Sequence, residues 1–410
     1  QGAARPPRLG RQTSYGPPTS RGGLRRGQSP LLGPMPAEGF LQHFHSLALA
    51  DPEVRLRAAL AIRRGLANPR GGANGQDGGA PEENLQYTLR RLARGVQSSR
   101  QCARQGFSLA LCEVLAAFPA ELPGVVTLVR KETELQSGLK ASEQKERLLG
   151  RLFAFAAVLE AGCLRRLSEG KAAKGGRAVV AELGLGLQEI YTARPYLKDP
   201  ASLLVAKACR ELSAAGLAGL VPDLLGPFKL DEKLREGDEA ADMHATALAL
   251  ELRQAYLDAK EASAMEGDLR AWPACVKEER LSKPSAAERL AKGLGCALGA
   301  NPVSDAVPFA LEPLCKWWLR VGASQGLQEK VWPALDGALF PEKASPTLQA
   351  QGLRALSEFA ARLAADAGGS GAPERTEAVL GGLFGQLPRG LALLLRTLCW
   401  PKAQAHAAAV

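Results

Sequence analysis

Apolar residues recur along this chain at the spacing of a helix, not of a strand. Leu85, Leu89, Leu92 and Val96 fall at i, i+4, i+7 and i+11, which puts them on one stripe. A second run follows at once, with Phe107, Leu111, Val114, Leu115 and Phe118 on its apolar face. Ser98 and Gln101 match a capping box ahead of it, and Pro119 and Pro123 bracket its end. Two helices joined by so short a turn predict a helical hairpin. Further upstream, Asp51-Pro52-Glu53 supplies a cap, a proline suited to the first helical position and an acid facing the dipole. The helix VRLRAALAIRRGLA follows and stops around Asn68-Pro69. Downstream, Ser142 precedes a helix carrying Leu148, Leu149, Leu152, Phe153 and Leu159 and ending at Gly162. More helices are expected near 177–192, from Asp199-Pro200 onward, and near 203–216, 240–262, 284–298, 306–321, 325–339, 346–365, 374–386 and 389–399.

No stretch alternates four or more β-branched or aromatic residues with polar ones, and Ala and Leu outnumber Val, Ile and Tyr. The fold class is therefore all-α. Roughly fourteen amphipathic helices in hairpins point to an α-solenoid of HEAT or armadillo-like repeats. No single period aligns across the chain, so a globular multi-helix bundle is the alternative. Residues 1–38 are rich in Pro, Gly and Arg and predict a disordered basic tail. Residues 39–405 form the helical-repeat domain, interrupted by a Gly-rich loop at 70–81. The chain starts at Gln1, so a fragment or a processed product is expected.

Charge changes this picture only in part. The net charge is +10, which favours polyanionic partners. Six Arg and one acid, Glu38, fall in the first forty residues, so about half of the excess lies in the tail. The basic residues that remain concentrate around the first clear hairpin: Arg90, Arg91, Arg94, Arg100 and Arg104. Arg90 and Arg94 are four apart, as are Arg100 and Arg104, so each pair shares a face away from the Leu stripe. These five guanidinium groups are the candidate binding residues for phosphate or an acidic partner, the alternative being that some pair with Glu82, Glu83 or other acids, or brace neighbouring helices. Further basic clusters are Arg55, Arg57, Arg63 and Arg64, the pair Arg165 and Arg166, and Lys171, Lys174 and Arg177.

Candidate chemistry is sparse. A two-metal polymerase clamps Mg²⁺ between carboxylates. The nearest clusters are Asp231-Glu232 and Asp238-Glu239, in a segment of alternating charge that reads as a solvated loop. Gly293, Gly295 and Gly299 lack the spacing and the preceding strand of a dinucleotide site. There is no GxSxG motif. Eight Cys are scattered without a CxxC pair and sit in apolar context, which predicts free, buried thiols. With four His in all, no metal site is expected, and no catalytic residue or cofactor is assigned. The aromatics form no spaced platform for stacking bases, and adjacent Trp317 and Trp318 face different sides of a helix. No apolar run reaches the length of a membrane span, so no membrane partner is expected, nor a small-molecule substrate.

Residues 84–115, NLQYTLRRLARGVQSSRQCARQGFSLALCEVL, resemble the opening of the Myb-binding protein 1A / DNA polymerase phi family. The resemblance is carried first by Tyr87, Leu89, Arg91, Leu92, Arg94, Gly95, Ser98, Ser99 and Arg100. Ala103, Arg104, Gly106, Phe107, Ser108, Ala110 and Leu111 continue it. A second echo is ERLLGRLFAFAAVLEAG at 146–162, and a weaker one lies at 331–353. The resemblance implies a nucleolar protein of armadillo-like repeats acting in ribosomal RNA gene transcription and ribosome biogenesis. Its implied partners are DNA, rDNA chromatin or pre-rRNA, and transcription or ribosome-assembly proteins. The family's name also carries the alternative of a DNA-directed DNA polymerase. The acid-poor N-terminal tail leaves a third reading, an organelle-targeted helical-repeat RNA binder.

Overall fold

A computed structural model describes residues 38–67, 81–168, 172–234, 243–261 and 269–277, with isolated positions between 313 and 357. Among the described residues there are α-helices and short 3-10 turns and no strand. The α-helices are α1 (Glu38–Ser46), α2 (Pro52–Ala67), α3 (Pro81–Gly95), α4 (Gln101–Ala117), α5 (Leu122–Glu132) and α6 (Ala141–Glu160). They continue as α7 (Ala172–Ala193), α8 (Lys198–Ala214), α9 (Val221–Leu225), α10 (Leu230–Lys233), α11 (Met243–Glu261) and α12 (Ala274–Lys277). The expected helices beyond residue 280 and the adjacent Trp pair lie outside the described residues, as does most of the Gly-rich loop.

The packing alternates along the chain. α2 lies on α4, α4 on α6, α6 on α8 and α8 on α11. α3 lies on α5, α5 on α7 and α7 on α9. Sequential partners α3–α4, α5–α6 and α7–α8 join these two layers as hairpins. Between them runs one continuous apolar core, which buries Leu89, Leu92 and Val96 of the predicted stripe and Leu111, Val114 and Leu115 of the next. Each layer thus covers the apolar face of the other, as an amphipathic helix requires.

Local chemistry explains where the helices start and stop. Asp51 caps α2, its Oδ1 accepting the Glu53 amide at 2.8 Å. Glu143 accepts the Lys140 amide at 3.0 Å and closes the start of α6. Gly162, with φ of +65°, lets the chain leave α6 through the left-handed region open to glycine. Three expectations need correction. Ser98 does not cap α4; it accepts the Arg100 amide in the turn, and the helix begins at Gln101 without a side-chain cap. Asp199 does not start α8, which runs on from the 3-10 turn Pro195–Leu197; its carboxylate meets His244 at 2.9 Å. Pro123 opens a helix instead of ending one. At the first turn of α5 its missing N–H costs nothing, since that position has no intrahelical partner.

Residues that carry the family resemblance are used for close packing. A Cβ on Gly106 would stand 1.9 Å from the carbonyl oxygen of Leu47, so only glycine lets α4 approach the α1–α2 turn this closely. A Cβ on Gly150 would press on the backbone of Val96 and Gln97, which brings α6 against the α3–α4 turn. Arg151, beside it, is buried.

Candidate functional site

The five candidate arginines lie on α3, the following turn and the start of α4, and the structure gives them different tasks. Arg91 is half-buried. Its Nη1 donates to Tyr87 Oη at 2.7 Å, and its guanidinium stacks over the Phe44 ring at 4.6 Å. That geometry holds α3 to α1. Arg94 forms a two-pronged ion pair with Glu132 at the end of α5, at 3.0 and 3.1 Å. The hydrogen bond and charge of Glu132 raise its pKa. Arg104 turns back on the α3–α4 turn, its Nη1 donating to the carbonyls of Ser98 at 2.6 Å and Ser99 at 3.2 Å. Arg90 and Arg100 are exposed, and neither side chain makes an ion pair among the described residues.

The other basic clusters are similarly divided. Arg55 donates to the carbonyls of Leu49 and Ala50, repeating on α2 what Arg104 does on α4. Both are the fourth residue of their helix, so each folds back over its own preceding turn. Arg63 pairs with Glu113 at 2.6 Å and Arg177 with Asp223 at 3.1 Å. Arg57 pairs with Glu53 within its own helix. Arg64 and Arg166 are exposed and make no ion pair among the described residues, and so remain available with Arg90 and Arg100. Lys171 lies outside the described residues.

Asp231 and Glu232, expected in a solvated loop, stand instead in α10. The Asp231 carboxylate accepts the amides of Ala274 at 3.0 Å and Cys275 at 2.7 Å, capping α12 from a distance. Burial pushes its pKa up, but those two amides and nearby Lys277 outweigh this and hold it below the usual value. Glu232 pairs with Lys229 at 3.4 Å. Among the described residues no three His, Cys, Asp or Glu side chains are grouped to hold a metal ion. The described cysteines are free. Burial raises the Cys163 thiol to about 11 and raises Cys209 further.

The most developed polar site was not anticipated. Arg151 on α6 is buried and reaches between α5 and α7. Its Nε donates to Thr133 Oγ1 at 2.9 Å, its Nη2 to the Thr133 carbonyl at 3.0 Å, and its Nη1 to Glu189. Burial lowers its pKa and the Glu189 charge opposes this. Arg130 on α5 holds Glu189 at 3.0 Å and Glu182 at 3.5 Å, while Thr127 donates to Glu182 at 2.7 Å. These groups floor a cleft of about 660 Å³, rimmed by Lys131, Glu134, Leu135 and Thr192. The signal in the sequence was an Arg inside an otherwise apolar stretch of α6, LLGRLFAF, which burial would force to find partners.

No single described helix is long and apolar enough to cross a membrane. α4 and the segment Pro119–Glu132, bent by 110°, are that apolar only together. Their apolar side chains, such as Leu111, Val114, Val125 and Val129, are buried in the core.

Among the described residues, the fold and these links define an all-helical array whose successive hairpins are bolted to one another. Over residues 87–281, just under half of the chain, it matches the family described as DNA polymerase phi, the family its sequence resembles. It is similar to the rDNA transcriptional regulator pol5 of Schizosaccharomyces pombe, 30% identical over 125 residues, which is 30% of this chain and 12% of that protein. It is also similar to a Myb-binding protein 1A-like protein of Danio rerio, 30% identical over 110 residues, 27% of this chain and 7% of that protein. The matched stretch is therefore a small part of each relative.

Proposed function

We propose that this chain is the helical-repeat portion of a nuclear, nucleolar scaffold acting in ribosomal RNA gene transcription and ribosome biogenesis, without catalytic chemistry of its own. The observation that carries this reading is the match over 87–281 together with the similarity to a regulator of rDNA transcription. The fold is read as an α-solenoid of armadillo or HEAT type. Its support is the regular reach of the interhelical links: Arg63 to Glu113, Cys163 to the Leu115 carbonyl, Arg177 to Asp223 and Arg210 to Glu251 each join one hairpin to the next. In such an array every unit touches only its neighbours, and the surface left over is long and open to a partner.

The proposed binding residues remain the five arginines, now with separate roles. Arg90 and Arg100 contact rDNA chromatin, pre-rRNA or an acidic protein directly. Arg91, Arg94 and Arg104 shape the hairpin that presents them. A salt titration of duplex DNA binding tests this, because each neutralised phosphate contributes about −0.9 to the slope of log K against log salt. Reversing Arg90 and Arg100 together should flatten the slope by about 2 on the same scale. A slope unchanged by that double substitution removes these residues from the interface, and an absence of binding removes nucleic acid as the partner. The polymerase reading rests on the family's description alone. Template-directed, Mg²⁺-dependent primer extension by the purified protein would overturn the scaffold proposal.

A further inference from the structure

We infer that the cleft between α5, α6 and α7 is a docking site for a short acidic–apolar peptide segment of a partner protein, separate from the arginines of the first hairpin. The cleft has a structural origin. α5 ends at Glu132, two residues after Arg130 meets Glu189, whereas α7 continues to Ala193. On its cleft side the last turn of α7, at Thr192 and Ala193, therefore faces Glu134 and Leu135 of the connecting segment 133–140. That segment is itself held in place, because Arg147 donates to the Glu134 carbonyl and Arg151 to both oxygens of Thr133. The walls are thus preorganised, and a ligand would not have to order them.

The chemistry left unsatisfied in the cleft selects its occupant. The carboxylates of Glu182 and Glu189 already accept from Thr127, Arg130 and Arg151. On the donor side, Lys131 is exposed on the rim and makes no ion pair among the described residues, and Arg130 Nε beside it is buried and has no hydrogen-bond partner among them. Beside them Leu135 exposes 42% of its surface. A ligand carboxylate would meet the Lys131 ammonium first and the Arg130 guanidinium behind it, while an adjacent apolar side chain covers Leu135. A nucleic-acid backbone fits poorly. Glu134, Glu182 and Glu189 place three carboxylates in the cleft, against the three cations Arg130, Lys131 and Arg151. A single carboxylate tolerates that balance, but a run of phosphates does not.

The test is fluorescence polarisation with the full chain and a short fluorescein-labelled peptide carrying one Asp beside a Leu among neutral residues. The control peptide replaces that Asp with Asn. Saturable binding is expected, weakened about tenfold by Lys131→Glu and about threefold by Leu135→Ala, with the amide peptide binding at least about fivefold more weakly. Both substituted side chains are exposed, so circular dichroism melting should be unchanged, and either variant alone reads the site. Absence of saturable binding overturns the proposal, as does binding indifferent to both substitutions. It is also overturned if duplex DNA displaces the peptide and itself loses affinity with Lys131→Glu, since the cleft would then belong to a nucleic-acid surface.

Discussion

Replacing Arg151 with Met keeps most of the aliphatic stem and deletes a guanidinium that is almost fully buried. Three hydrogen bonds go with it: those to Thr133 Oγ1, to the Thr133 carbonyl and to Glu189. A hydrogen bond from a charged group contributes about 1.5–3 kcal/mol, and breaking a buried ion pair costs about 3–5 kcal/mol. Two features discount the sum. Glu189 is 36% exposed and keeps Arg130 as a partner, so it is not stranded. The buried cation also carries a desolvation cost that Met relieves, the same burial that lowers its pKa. Thr133, fully buried, is left with an unpaired carbonyl. The net expected loss is about 3 kcal/mol. Urea unfolding of the full chain measures it, and hydrogen exchange should show the α5–α6 connection opening first. A double-mutant cycle with Glu189→Gln should return a coupling of about 1 kcal/mol, small because Arg130 remains. A loss below about 1 kcal/mol for Arg151→Met would refute the reasoning, since the buried network would then contribute little to stability.

Other expected outcomes are equally direct. Gly106→Ala forces a methyl into the Leu47 carbonyl and should destabilise the chain by about 3 kcal/mol, read as a shift in the unfolding midpoint. Asp231→Ala removes the cap on α12 and should cost about 1 kcal/mol at neutral pH, discounted because the group is partly exposed. Since the folded pKa of Asp231 is depressed, its contribution is present above the carboxylate's unfolded pKa and is lost as pH falls through the folded value. The variant and the parent should therefore converge in stability in acid. Cys163, raised to about 11, contributes stability that is fully present below the ordinary thiol value and is lost as pH rises from there through the folded value. Iodoacetamide at mildly alkaline pH should accordingly modify half-buried Cys102 before Cys163 or Cys209 in the folded chain, followed by mass spectrometry.

Helix content was legible because the stripe Leu85–Val96 and the face Phe107–Leu115 repeat at the period of an α-helix, and these residues are buried, Phe107 partly so. The Asp-Pro pair read correctly as a helix start at Asp51-Pro52 but not at Asp199-Pro200, which lies inside the first turn of a helix that runs on from a 3-10 turn. Proline misled where its position in the element was ambiguous. Pro123 both ends what precedes it and suits a first turn, and only the packing of α5 on α3 and α7 selects the second use. The candidate binding residues were legible as charges but not as free charges. A run of arginines does not reveal that Glu132, thirty-eight residues beyond Arg94, comes back to neutralise it.

The sequence by itself determined the helical class, the hairpin rhythm and, through the residues around 84–115, the family likeness that the match over 87–281 shows for part of the chain. These follow from near-neighbour periodicity, which the chain carries locally. Only the tertiary structure decided that the matched glycines serve close approach, that three of five arginines are structural, and that a cleft opens where α5 stops short of the end of α7. Each depends on side chains brought together from distant segments, so the relevant energies exist only after the layers have packed.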